Sequence, residues 1–173
     1  LAKETGVRRG VAGSIEYDDV IRSFAKDPQE TINYVACHDN HTLWDKNYLA
    51  AQADTTVKWT EEMLKDAQKL AGAILLTSQG VPFLHAGQDF ARTKKFDENS
   101  YNSPISINGL DYARKAEFID VFNYYKGLIE LRKAHIAFRQ RTAEDIRKKL
   151  TFLPTPRKMV AFVLKDENDP WKE

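Results

Sequence analysis

The chain has 173 residues, enough for one domain with a real core. Lys plus Arg number 26 and Asp plus Glu 25, a net charge of +1, which argues against a polyanion-binding surface as the main business of the chain. A hydrophobic fraction of 42% excludes a disordered chain, the single cysteine (Cys37) excludes an internal disulfide framework, and no apolar run reaches the roughly 18 residues of a membrane span.

Neither an initiator Met nor a leader opens the chain, and Asp169-Pro170-Trp171-Lys172-Glu173 closes it without an obvious stop, so both ends read as cut from something longer. A short helix is expected over 17–25, closed by Asp27-Pro28. Residues 31–37 are short, β-rich and nearly all apolar, which predicts a strand buried on both faces. Residues 38–59 show no clean period. Thr60 is placed to cap a helix with Glu61 and Glu62 in its first turn. Met63, Ala67, Leu70 and Ile74 mark its apolar stripe, with Leu64, Ala71 and Leu75 beside it, and Gly80 marks its end. A second short apolar strand follows over 81–85, with Pro82 tolerated only near its start.

Residues 86–111 are again irregular. A strong amphipathic helix is expected over 114–133, with Phe118, Phe122, Tyr125 and Ile129 as its stripe and Val121 and Leu128 beside them. The basic segment 139–149 reads as a short helix. Residues 151–153 and 159–164 read as an antiparallel hairpin around Pro154-Thr155-Pro156.

Strands alternating with helices imply parallel βα units and an α/β fold. The helix-to-strand turn at Ser78-Gln79-Gly80 is minimal, while both strand-to-helix segments run beyond 20 residues. Structureless loops that long are usually functional, and in a (β/α)8 barrel the site is built from the loops that follow the strands. Chemistry is therefore expected in 38–59 and 86–111.

His38-Asp39-Asn40 directly follows the first strand. Three readings stand: a polar-substrate site with Asp39 as the charge and His38 as a hydrogen-bond partner; a metal site through His38-x-x-His41; or a turn in which Asp39 and Asn40 bond nearby backbone. By chemistry alone Asp39 suits an acid/base, a nucleophile or an electrostatic stabiliser in sugar hydrolysis. Trp44 suits either a sugar platform or core packing, and Asp45 suits a cap. The second loop, Gly87 to Thr93 and Asp97 to Asn102, mixes amides, acids and aromatics in a way that suits hydroxyl recognition or an ordinary surface loop. His85 reads as a satisfied structural histidine. Cys37 beside His38 is poorly arranged as a nucleophile and base, since neighbours on a strand point to opposite faces. The basic residues from Arg132 to Lys149 carry no nucleic-acid module and read as a solvated face.

Residues 31–45, which run Thr31-Ile32-Asn33-Tyr34-Val35-Ala36-Cys37-His38-Asp39-Asn40-His41-Thr42-Leu43-Trp44-Asp45, resemble the fourth signature region of type I pullulanases. These are debranching members of the α-amylase superfamily, glycoside hydrolase family 13. Residues 78–94 resemble the strand that closes their barrel, and Asn99-Ser100-Tyr101-Asn102 resembles the segment that follows it. The resemblance implies a partial (β/α)8 TIM barrel, its last two βα units, over 1–138. Strands 31–37 and 81–85 would be barrel strands seven and eight. Residues 139–173 would be a linker and the first strands of a C-terminal β-sandwich.

The same resemblance implies Asp39 as the transition-state-stabilising aspartate, His38 as a partner of sugar hydroxyls at the cleavage point, and Asn99 on the glucan cleft. It implies a parent enzyme that cleaves α-1,6-glucosidic links with retention, through a glycosyl-enzyme intermediate. No cofactor is required; structural calcium is frequent in the family, with no ligands assignable here. The implied partners are an α-glucan and the remainder of the same barrel, with no nucleic acid and no membrane. The family's nucleophile Asp and acid/base Glu motifs are absent from these residues, so the isolated segment is expected to be inactive and, with open sheet edges, to self-associate. A glucan branching enzyme or other transferase relative, and a non-catalytic carbohydrate-binding module, stand as the alternatives.

Overall fold

The computed structural model describes residues 2–171. They form a mixed α/β chain in the order α1 (Ala2–Val11), β1 (Ile32–Asn33), α2 (Leu43–Ala53), α3 (Glu61–Thr77), β2 (Val81–Pro82), α4 (Ile105–Asn108), α5 (Ala113–Glu117), α6 (Ile119–Ala134), α7 (Ala143–Lys149), β3 (Leu150–Leu153) and β4 (Ala161–Leu164). Two compact units emerge: one of Leu1–Asn33, Ile74–Phe83 and Ile129–Glu173, the other of Tyr34–Ala73 and Leu84–Leu128.

In the first unit β1 and β2 pair in parallel, Ile32 opposite Val81 and Asn33 opposite Pro82. Parallel strands need a long crossover, and α3 lies between them in the chain. The strands are shorter than expected and not buried on both faces: Ile32 is 64% exposed and Val81 45%. The turn into β2 is held by polar groups. Buried Arg132 donates to the carbonyl oxygens of Leu76, Ser78 and Gly80 at 2.7–2.9 Å. Gln79 donates through its side chain to Ala137 O, and Asn33 Nδ2 donates to Gln79 O. Burial and the neighbouring Arg139 lower the Arg132 pKa to about 10, so it stays charged at neutral pH.

Val11, Ala12, Ile15, Ile21, Ala25, Ala143, Ile146 and Leu150 form an apolar cluster in this unit. Tyr17 packs edge-on to Phe152 and donates its hydroxyl to Leu150 O at 2.6 Å. The hairpin forms as expected, with Leu150 opposite Leu164 and Phe152 opposite Phe162. The short helix in the basic segment is α7; Thr142 caps it by accepting from Asp145 N. The helix expected over 17–25 is absent. Asp18 Oδ1 accepts from Val20 N and Ile21 N, and Ile21 O accepts from Tyr17 N, closing a turn instead. A side-chain acceptor two residues back is a standing competitor of the helix. The helix lies earlier, as α1.

In the second unit α2 occupies part of the stretch expected to be irregular. Thr42 caps it by accepting from Asp45 N. Thr60 caps α3 as expected, accepting from Met63 N. The buried face of α3 is Leu64, Gln68, Gly72 and Leu75, whereas Leu70 is exposed, so the stripe sits one residue away from the one expected. Gln68 belongs to that face because its side-chain amide donates to Gln88 O at 2.8 Å, while its backbone carbonyl accepts from the Tyr125 hydroxyl. Gly72 leaves room for the Tyr125 ring; a Cβ there would overlap it. The helix expected over 114–133 is two helices. Its backbone leaves helical geometry at Phe118 (φ −107°, ψ 36°), whose ring is buried 4.9 Å from Trp44. Phe118, Val121, Tyr125 and Arg132 are its buried positions, and Ile129 is exposed.

Candidate active-site cleft

The second unit contains a polar cleft of about 730 Å³. Two chain segments supply its walls: residues 38–40, which follow β1 in the sequence, and residues 85–108, which follow β2. All three expected site residues line it: His38, Asp39 and Asn99. His38 Nε2 and Asp39 Oδ1 are 3.5 Å apart, and both side chains are largely exposed. Asn40 completes the turn at φ +59°, a left-handed conformation that Asn tolerates better than most residues. The Asn99 backbone is anchored by Asp97, whose carboxylate accepts from Asn99 N and from the Ser103 hydroxyl.

The second wall is a hydrogen-bond network centred on Arg92 and Asn108. Arg92 donates to Asn108 O at 2.6 Å and to Ala86 O at 3.2 Å. Asn108 Nδ2 donates to the carbonyls of Ser100 and Ser103. Gly87 makes the turn possible: it sits at φ +85°, and a Cβ there would meet Arg92 Cβ. Arg92 Nη1 also lies 3.1 Å from His85 Nε2. A guanidinium only donates, so His85 Nε2 accepts and the ring is neutral with its proton on Nδ1. Burial, with Arg92 and Lys94 nearby, lowers the His85 pKa to about 4 and keeps it so.

Asp45 is fully buried. It accepts from the Thr93 hydroxyl at 2.5 Å and from Lys94 N at 2.8 Å. It caps nothing; its own N–H donates to the Thr42 cap. Trp44 is core, against Phe118 and under Arg114, and not a cleft platform. Tyr101, 82% exposed and lining the cleft, is the aromatic face available there. Among the described residues no three His, Cys, Asp or Glu side chains gather as cation ligands, so His38 and His41 are not joined into a metal centre. His85 is the cleft residue that sequence reading set aside. It is a satisfied histidine, as expected, bonded to Arg92, and it lines the cleft as well; the signal was its place at the end of the expected strand 81–85, beside a polar loop.

Carboxylates (Asp39, Glu98), an amide (Asn99), a neutral imidazole (His85) and a guanidinium (Arg92) thus share one open cleft with a tyrosine ring. Mixed donors and acceptors of both signs suit a neutral polyhydroxylated ligand better than a strongly charged one.

No protein-family model matches the chain. It is 43% identical over 169 residues to the pullulanase of Bacillus subtilis strain 168, covering 96% of this chain and 23% of that protein. A crystal structure of a mutant pullulanase from Paenibacillus barengoltzii, complexed with maltotetraose, matches with a TM-score of 0.91 at 51% identity, covering 96% of this chain and 25% of that one. The same enzyme complexed with maltohexaose and alpha-cyclodextrin matches equally well, with a TM-score of 0.91 at 51% identity and the same coverage of both chains. The chain therefore belongs with the pullulanases, as a segment spanning about a quarter of the length of the relatives it matches.

Proposed function

We propose that this segment belongs to a debranching glycoside hydrolase that cleaves α-1,6-glucosidic links of pullulan, glycogen or amylopectin with retention. The observation that carries the reading is the gathering of His38, Asp39 and Asn99 on one polar cleft, each in a segment that follows a parallel strand. The relatives with bound maltooligosaccharides favour an α-glucan as the substrate. In this reading the segment is the last two βα units of a (β/α)8 barrel over 1–138, with 139–173 opening a C-terminal β-sandwich. The exposed faces of Ile32 and Val81 are where the remaining strands would pack.

Retention needs a nucleophile and an acid/base carboxyl, and both would lie outside this chain. Asp39 would stabilise the positive charge that grows on the sugar ring as the glycosidic bond breaks. His38 would hold hydroxyls of the sugar at the cleavage point, and Asn99 would line the glucan path. The reaction needs no cofactor, because proton transfer and covalent capture are both within the reach of carboxyl groups.

The test uses the full-length protein that carries this segment, with pullulan as substrate. Release of reducing ends is expected, and Asp39→Asn should lower kcat by roughly 10²–10³-fold with the fold intact. Glucan binding without hydrolysis would overturn the reading in favour of a binding module. Formation of new α-1,6 links would overturn it in favour of a transferase.

A further inference from the structure

We infer that Lys94 is a positioning residue that fixes the His38-Asp39 turn in its working place. This rests on the cleft being the hydrolytic site proposed above. The turn needs an external hold. Residues 38–40 lie outside any helix or strand, their side chains are exposed, and Asn40 is in a left-handed conformation. Lys94 supplies that hold: its Nζ donates to His38 O at 2.5 Å.

Lys94 is only 3% exposed. Burying an ammonium is costly unless it is well satisfied, so its place must be set by something stronger than chance packing. Asp45 sets it. The carboxylate is fully buried in the first turn of α2 and grips Lys94 N and the Thr93 hydroxyl together. Lys95 N donates in turn to Thr93 Oγ1. Lys95 and Phe96 follow at φ +52° and +67°, conformations that persist only where the surroundings over-determine them. The chain of contacts runs from α2 through Asp45 and Lys94 to His38 O, and so to the backbone that carries Asp39. A displacement of about 1 Å at such a group is enough to cost orders of magnitude in rate.

The experiment uses the full-length protein with Lys94→Met and Lys94→Arg. For Lys94→Met, kcat on pullulan should fall roughly 10–100-fold per folded molecule while KM stays within about threefold. Lys94→Arg, which keeps a donor, should recover a large part of the loss. A crystal structure of Lys94→Met should show Asp39 moved by about 1 Å or more. An unchanged kcat per folded molecule, or an unmoved Asp39, overturns the inference. If Lys94→Met does not fold, Asp45→Asn carries the same two readings. If the unmodified protein does not hydrolyse pullulan, the functional reading fails on its own, and the displacement of residues 38–40 still decides whether the hold exists.

Discussion

The apolar cluster around α1, α7 and β3 and the polar cleft of the second unit are built in opposite ways. The cluster is aliphatic side chains packed together, with Ile15 and Ile146 wholly buried. The cleft is held by polar groups whose partners are set one by one: Asp45 on Thr93 and Lys94, Arg92 on Asn108 and His85, Asp97 on Asn99 and Ser103. Apolar packing is non-directional and tolerates repacking, whereas hydrogen-bonded networks fix positions and fail abruptly when a partner is lost. The cluster supplies stability; the network supplies geometry, and this is why the candidate chemistry sits on the network.

That contrast can be broken by substitution. The largest stability effect is expected at Ile146→Ala, which should cost about 2–5 kcal/mol by emptying a fully buried site. Urea denaturation measures it, and the kcat of molecules that remain folded should be unchanged, the reverse of Asp39→Asn. A cost below about 1 kcal/mol would mean the cluster collapses to fill the space.

Next in size is the response of His85 to acid. Its folded pKa, about 4, lies below the ordinary 6.5. Above pH 6.5 the ring is neutral folded or unfolded, and the full stability is present. As pH falls from about 6.5 to about 4, the unfolded chain takes up a proton that the fold excludes, and about 1–3 kcal/mol is lost. Unfolding midpoints at pH 7 and pH 4.5 should differ for the natural protein and differ less for His85→Gln. An equal slope in both would remove His85 from the network.

The smallest effect is a cap. Thr142→Ala removes the acceptor for Asp145 N at the start of α7 and should cost about 1 kcal/mol, read as a shift in the urea midpoint. A larger loss would show that the polar cap, and not the apolar contacts of Ile146, governs α7.

The elements legible in sequence are those whose signals are local. The Thr60 cap, the hairpin around Pro154 and the alternation that pairs β1 with β2 all announce themselves within a few residues. α1 was hidden by Gly6 and Gly10, which lower helix propensity inside its span. α2 was hidden because its apolar residues keep no clean stripe, although Thr42-x-x-Asp45 was a legible start signal. The stripe of α3 was misplaced because the buried polar side chain on it, Gln68, is satisfied by Gln88 O, 20 residues away, beyond the reach of any local periodicity. The same distinction governs the site. His38, Asp39 and Asn99 were legible because they stand in recognisable runs. The hold on them was not, because Asp45 and Lys94 meet across 49 residues of chain and neither is unusual in its own neighbourhood.

The two strand pairings also set an order of assembly. β3 and β4 face each other across a short connection and gain four paired positions, so they can meet while the rest of the chain is still open. β1 and β2 gain only two, and the chain between Ile32 and Val81 must first be brought end to end, at an entropic cost on the order of 3 kcal/mol. Two ladder positions cannot offset that alone. α3, which forms locally within that stretch, shortens the distance to be closed, so the parallel pair is expected to be a late product of helix formation and not its template.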